Sequence, residues 1–216
     1  MASRKISKRR GAPATHERRL REHGYRLVAG VDEVGRGALA GPVVAAAAIM
    51  PDSPRVGGVN DSKQLTRLQR EQADEAIRQA AVAWGIGWSS ADAIDATDIL
   101  RATHVAMRMA LSALDPQPDV IIVDGRPVPG LCAPCEAIVG GDRLCYSVAA
   151  ASIIAKVYRD RVMARLDGLY PGYGLATNVG YGSAEHLSAI LQQGPSSVHR
   201  LSFEPMRSSQ QTRLRL

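Results

Sequence analysis

Asp32 and Glu33 stand side by side after the apolar run 28–31, and Gly35-Arg36-Gly37 follows almost at once. Adjacent acids at the end of a buried strand are costly unless something cationic neutralises them, either a metal ion or a basic partner. The glycines allow a sharp turn and a close backbone approach to a ligand, and the Arg36 guanidinium offers a fork of donors that fits a phosphate. Two more acids follow apolar runs: Asp124 in VDG and Asp142 in GGD. In a sheet covered by helices, strand ends meet at a crevice where ligands bind. Four carboxylates gathered there would repel one another unless divalent cations sat between them. Oxygen-only ligands suit Mg²⁺ or Mn²⁺ rather than zinc, and two such ions about 4 Å apart activate a water and stabilise the leaving oxygen of a phosphodiester. Taken singly, Asp124-Gly125 reads as a plain turn and Gly141-Asp142 as the start of a helix; together they point to metal-assisted phosphodiester chemistry. Neighbouring strand residues face opposite sides, so Asp32 and Glu33 share a site only if the strand twists or ends there.

The elements that must position these acids are legible in the apolar periodicity. Residues 27–34 and 42–50 read as strands, and the short link between them predicts an antiparallel hairpin. A helix is predicted over 66–81, with Leu68, Ala73, Ala76, Ile77 and Ala80 sharing one face. Residues 82–88 read as a third strand. Residues 91–114 are helical, a short piece and then a longer one from near Thr97, stopped by Asp115-Pro116. A strand over 119–123 ends at Asp124, and a very short one over 137–139 precedes Asp142. The longest helix covers 146–169, and a Gly- and Tyr-rich loop fills 172–182. Residues 183–193 form another helix with Ser183 as its N-cap. The stretch 199–203 is irregular, and a last helix is expected over the basic tail. Strands first, then alternation with helices, indicate an α/β sheet covered by helices.

Weaker signals have competing readings. Ser152, Lys156 and Arg159 form one polar stripe at i, i+4 and i+7, either a solvated face or a phosphate contact. Asp160, between Arg159 and Arg161, reads as an ion pair with them. Lys63, in NDSK, meets the substrate backbone or is a surface lysine. Cys132 and Cys135 have the spacing of half a zinc site, but no second pair accompanies them, so they read as incidental thiols. His186 and His199 lack metal-ligand spacing and read as structural.

The chain has 216 residues, enough for one sizeable core, and a net charge of +6 that favours a polyanionic partner. The expected organisation is a basic, mobile segment over 1–24, in which Glu17 to His23 could form a short helix, a catalytic domain over 25–206, and a basic tail or helix over 207–216. No run approaches the roughly 18 apolar residues of a membrane span. The basic N-terminus lacks the apolar region of a secretory signal. Three cysteines make no disulfide framework and fit a reducing cytoplasm. An aromatic content of 4% argues against a stacking platform for single strands.

In order along the chain, DEVGRG, NDSK, the strand ending VDG, GGD, AAASIIAKVYRD, GYG with a following EH, and HRLSFEP resemble the type 2 ribonuclease H family, bacterial ribonuclease HII. The resemblance covers about Val28 to Pro205. It implies an α/β ribonuclease H-like fold, a mixed central β-sheet flanked by helices. It implies a monomeric endoribonuclease that cuts the RNA strand of RNA–DNA hybrids and the 5′ side of single ribonucleotides in duplex DNA, leaving 3′-hydroxyl and 5′-phosphate ends. By position, Asp32, Glu33, Asp124 and Asp142 match the catalytic acids that bind two Mn²⁺ or Mg²⁺ ions. Gly35, Arg36 and Gly37 match the loop that senses the ribose 2′-hydroxyl and its phosphate, and Tyr181 matches the tyrosine that packs on the neighbouring sugar. Lys63, Ser152 and Lys156 complete the expected substrate contacts. The chain departs from the family at Gly140 and at Asn178-Val179, where basic residues are usual; that should weaken phosphate binding without abolishing metal chemistry. Two rivals are a nuclease of the same fold that cuts DNA or junctions, and a catalytically silent hybrid-binding module. The GRG loop argues against the first and the four acids against the second.

Overall fold

The computed structural model describes residues 11–59, 62 and 65–208. Lys63 therefore lies outside the described residues, as do Asn60 and Asp61 of the same motif and most of both basic ends. Five strands make one mixed sheet: β1 (Val28–Val34), β2 (Val43–Ile49), β3 (Ala83–Ser89), β4 (Val120–Asp124) and β5 (Cys135–Ile138). Their order is β3-β2-β1-β4-β5. The hairpin expected between β1 and β2 is antiparallel, as is the β2–β3 pair, whereas β1–β4 and β4–β5 are parallel.

Eight helices accompany them among the described residues: α1 (Thr15–Glu22), α2 (Arg67–Ala80), α3 (Ala91–Ala96), α4 (Ile99–Ser112), α5 (Gly141–Leu144), α6 (Tyr146–Leu169), α7 (Leu175–Asn178) and α8 (Ala184–Gln193). Side-chain caps start several of them. Thr66 makes a capping box with Gln69, and Ser90, Asp98 and Ser183 each accept a backbone N–H in the first turn.

The run VVAAAAI is a poor strand by propensity, yet every residue of β2 is buried. Its small side chains serve two helices at once. Val44, Ala46 and Ala48 pack towards α6, and Ala45, Ala47 and Ile49 pack towards α4. Helix α6 is apolar all round in its first half, as a helix in the interior must be. It crosses β1 at Gly30, where a Cβ would lie 2.2 Å from the main chain of Ser147 and Val148. Only glycine permits that approach.

Three expectations need correction. Leu68 is 64% exposed; Ala73 and Ile77 carry the buried face of α2, because α2 turns that stripe towards α6. The segment expected to be mobile up to residue 24 is docked from Ala12 to Leu20: Ala12, Ala14 and Leu20 are buried, and Glu17 accepts hydrogen bonds from the N–H and hydroxyl of Ser147 at 2.8 and 2.7 Å. That carboxylate faces the N-terminus of α6, where the helix dipole favours an anion. Finally, the Gly- and Tyr-rich loop contains the short helix α7. Among the described residues, no helix is long and apolar enough to cross a membrane.

Gly30→Ala should lower stability by about 3 kcal/mol or more in urea unfolding, because α6 backbone would have to move. Gly57→Ala, with no atom near its Cβ position and an ordinary φ, should change it by less than about 0.5 kcal/mol.

Candidate active site

Parallel pairing of β1 with β4 brings Asp32, Glu33 and Asp124 to the same end of the sheet. All three line a cavity of about 300 Å³ together with Val34, Ser62, Ser152, Lys156 and Tyr181. Asp32 pairs with Ala46 on the α6 face, and Glu33 pairs with Ala45 on the α4 face. The alternation of the strand is thus kept, and β1 runs on to Val34. Asp124 stands between the two acids. It also lines a second cavity of about 450 Å³ on the α4 side, with Glu33, Arg36, His104 and Arg126.

Each carboxylate is tied down separately. Asp32, buried, accepts the N–H of Glu33 at 2.8 Å and a hydrogen bond from Ser152. Its burial, then the charges of Glu33 and Asp124, push its pKa well above the usual aspartate value. Burial also raises that of Glu33, against the pull of Arg36, whose Nη1 donates to Glu33 Oε1 at 3.1 Å. Asp124 Oδ1 accepts the N–H of Gly141 at 2.8 Å. That bond anchors α5, and Asp142 lies buried in the first turn of this helix. The sequence offered Asp142 two settings, the end of a short strand or, with Gly141, the start of a helix. The second is found: the chain turns at Gly140, with φ +75°, and enters α5 before reaching Asp142. Among the described residues, no three His, Cys, Asp or Glu side chains are gathered closely enough to hold a metal ion as they stand. The bonds just described explain this, since Glu33 is drawn to Arg36 and Asp124 to Gly141.

The polar stripe on α6 divides into three different jobs. Ser152 Oγ is 3.1 Å from Ser62 Oγ and faces the cavity. Lys156 lines the cavity and donates to Asp160 Oδ1 at 2.6 Å. Arg159 is wholly buried and donates to three backbone carbonyls, those of Pro42, Val179 and Ala40. Asp160 therefore pairs with Lys156 and, at 3.4 Å, with Arg70, not with Arg159 and Arg161. One turn of helix separates it from Lys156, which puts the two on the same face. Arg161 reaches towards Asp74, at 3.9 Å.

Gly35 has φ +90°, and a Cβ there would lie 2.1 Å from Arg159 Nε. Gly37 is exposed, and the nearest atom to its Cβ position is Tyr181 Cε1 at 4.0 Å. The GRG turn and the edge of the Tyr181 ring thus stand close together beside the acids. Tyr181 is 39% exposed, with the Arg159 guanidinium 5.7 Å from its ring centre. Just before it, Val179 holds φ +45°, a strained conformation for a β-branched residue.

A chain of two histidines, which the sequence placed in no network, supports Tyr181 from behind. The N–H of Ser196 donates to His199 Nδ1 at 3.0 Å, so that nitrogen is an acceptor and the His199 proton is on Nε2. His199 Nε2 then donates to His186 Nε2 at 3.0 Å, and His186 Nδ1 donates to the Tyr181 carbonyl at 2.9 Å. Both rings are buried. Sequence reasoning also passed over Arg200, wholly buried in HRLSFEP. The motif was visible, but nothing in its pattern shows where an arginine's donors end. Cys132 and Cys135 are free and exposed; Cys145 is buried, and burial followed by the charge of Glu17 pushes its thiol up to about 12. Burial raises the Cys135 thiol as well, so neither it nor Cys145 has the low pKa of a nucleophilic thiol.

Comparison with known proteins bears directly on this arrangement. A family model described as Ribonuclease HII matches residues 29–206. The chain belongs to the ribonuclease HII family. A ribonuclease HII of Moorella thermoacetica is 50% identical over 188 residues, covering 87% of this chain and 91% of its own. The crystal structure of ribonuclease H2 from Pyrococcus horikoshii aligns with a TM-score of 0.74 at 30% identity, over 87% of this chain and 98% of that one. Bst-RNase HIII in complex with Mn²⁺ aligns with a TM-score of 0.64 at 22% identity, over 88% of this chain and 71% of that one. The fold is the mixed-sheet, ribonuclease H-like α/β fold. As a ribonuclease HII, the chain is an endoribonuclease, and its family acts on the RNA strand of RNA–DNA hybrids.

The histidine chain gives this ribonuclease HII a pH-dependent stability. Burial, then the neighbouring His186, lower the pKa of His199 from 6.5 to about 4. The unfolded chain takes up a proton near pH 6.5 that the folded chain refuses until about pH 4. Stability should therefore be complete above pH 6.5 and fall as the pH drops towards 4, by up to about 3 kcal/mol. Urea midpoints across that range, with His199→Gln losing most of the dependence, are the measurement.

Proposed function

We propose that Asp32, Glu33, Asp124 and Asp142 are the catalytic acids and hold two divalent cations, and that the enzyme cuts RNA–DNA hybrids and the 5′ side of single ribonucleotides in duplex DNA, leaving 3′-hydroxyl and 5′-phosphate ends. One observation carries this reading: three carboxylates from two adjacent strands open onto one cavity whose rim is formed by Tyr181 and Lys156. The donor set fits a hard cation. It is oxygen-only, and the pKa of Asp32 is raised first by burial and then by the charges of Glu33 and Asp124, a combination that a divalent ion would relieve. Mn²⁺ and Mg²⁺ both suit such ligands, and Mn²⁺ is bound by the related Bst-RNase HIII. When bound, such ions polarise the phosphate and generate a nucleophile from water.

The chain's own residues bind and orient. Lys156, held by Asp160, and Ser152 line the cavity beside Asp32, at the position of a phosphate close to the acids. Arg36, half exposed and bonded to Glu33, can exchange that carboxylate for a phosphate, which frees Glu33 for a cation. Gly37 and the edge of the Tyr181 ring together offer one surface for a sugar, with main-chain atoms close enough to distinguish a 2′-hydroxyl from hydrogen.

A DNA duplex with one ribonucleotide should be cut on its 5′ side in Mn²⁺ or Mg²⁺ and left intact in chelator. Asp124→Asn should lower kcat by at least about a hundredfold. Equal cutting of an all-DNA duplex would overturn the ribonucleotide reading, and tight binding without cutting would make the chain a silent module.

Gly37→Ala tests that surface. The methyl has room in the free protein, so the melting temperature should stay near that of the parent, while kcat/KM on the ribonucleotide duplex falls about tenfold or more. Unchanged kcat/KM would place the ribose elsewhere.

A further inference from the structure

We propose that Arg200, with Arg159 beside it, is a positioning residue for ribonucleotide recognition: the two buried guanidiniums draw the carbonyls of the β1–β2 connection inward and so turn the amide of Gly37 out towards the substrate. The inference rests on the functional reading above and concerns what holds its recognition loop in shape.

Both side chains are wholly buried, and among the described residues neither forms an ion pair with a carboxylate. Burying a cation costs desolvation that a carboxylate partner would normally offset. Here the donors end on backbone oxygens instead. Arg200 Nη1 donates to the Arg36 carbonyl at 2.9 Å, and its Nε and Nη2 donate to the Gly41 carbonyl at 3.1 and 2.9 Å. The main-chain N–H of Arg200 donates to the Leu39 carbonyl at 2.8 Å. Arg159 takes the carbonyls of Ala40 and Pro42 at 3.1 and 2.9 Å, and that of Val179 at 2.8 Å. The carbonyls of Arg36 and of Leu39, Ala40, Gly41 and Pro42 are therefore held towards the interior.

The consequence follows from peptide geometry. In a trans peptide the carbonyl and the next N–H point in opposite directions. With the Arg36 carbonyl fixed on Arg200, the N–H of Gly37 points away from the interior. Among the described residues, the amides of Arg36 and Gly37 have no acceptor, whereas those of Ala38, Leu39, Ala40 and Gly41 each have one. Two successive free amides beside the Tyr181 ring form a small concavity for a phosphate or hydroxyl oxygen. A guanidinium bonded to one end of a peptide also polarises it, which strengthens the N–H at the other end as a donor. The arginine fork matters as well as its charge, since Arg200 spans two carbonyls five residues apart in the loop; a lysine would keep the charge and only part of the grip.

The test compares the full chain with Arg200→Lys and Arg200→Gln. It measures melting temperature, Mn²⁺ binding by calorimetry, and kcat and KM on a duplex with one ribonucleotide and on an all-DNA duplex. The expected result is Mn²⁺ binding like the parent's, with kcat on the ribonucleotide duplex at least about tenfold lower in Arg200→Gln, partly restored in Arg200→Lys, and KM little changed. Discrimination of ribo- over deoxyribonucleotide then falls in the order Arg, Lys, Gln. Should Arg200→Gln fail to fold, Arg200→Lys carries the comparison. A folded variant that discriminates like the parent overturns the inference, as does parallel loss of Mn²⁺ binding and cutting, which would mark a purely structural arginine. A parent chain that does not cut at the ribonucleotide removes the functional reading itself, and the inference with it.

Discussion

Mutual repulsion among Asp32, Glu33 and Asp124 is the constraint that the surrounding structure answers. Parallel pairing of β1 with β4 forces these carboxylates to one end of the sheet, and burial denies them the screening of water. The fold accepts this cost by holding each group with its own donor: the Glu33 amide for Asp32, Arg36 for Glu33, the Gly141 amide for Asp124. Such an arrangement needs a rigid frame. The frame is a sheet covered on both faces, with a centre of Ala and Gly that lets α4 and α6 come close.

Charge of the opposite sign is buried only a few residues away. The β1–β2 connection passes between the acids on one side and Arg159 and Arg200 on the other. Neither arginine neutralises the acids. Their donors are consumed by carbonyls, so they leave the charge of the acids uncompensated while the loop gains a fixed shape. A hydrophobic cluster that holds Met163, Tyr173, Leu175 and Ile190 packs against this region, and the His186–His199 chain beside it reaches the Tyr181 carbonyl. Loop and tyrosine are thereby supported from the same interior.

Much of this was legible in the sequence, because the signals were local. Thr66, Asp98 and Ser183 cap the helices that their neighbours suggest, and Asp115-Pro116 stops α4 close to where its ring requires. The acids could be picked out by their place after apolar runs, and the strand alternation that set Asp32 against Glu33 is kept. What local signals misjudged were residues whose role depends on distant partners. Leu68 has a helical spacing that fits the buried face, yet α6 lies against the other side. Asp160 sits between two arginines in sequence and bonds to neither. Arg159 belongs to a polar stripe and is wholly buried.

The sequence by itself determined which chemistry is possible: oxygen ligands without a cysteine or histidine set, a turn that only glycine can make, and enough apolar pattern for an α/β frame. It did so because backbone conformation and side-chain donor type are properties of single residues and their neighbours. Tertiary structure alone decided that Asp124 anchors the helix carrying Asp142, that Glu17 docks on the start of α6, and that two arginines end on the carbonyls of the β1–β2 connection, more than a hundred residues away in the chain. Those outcomes depend on desolvation, and a buried polar group takes whatever partner the packing brings within reach.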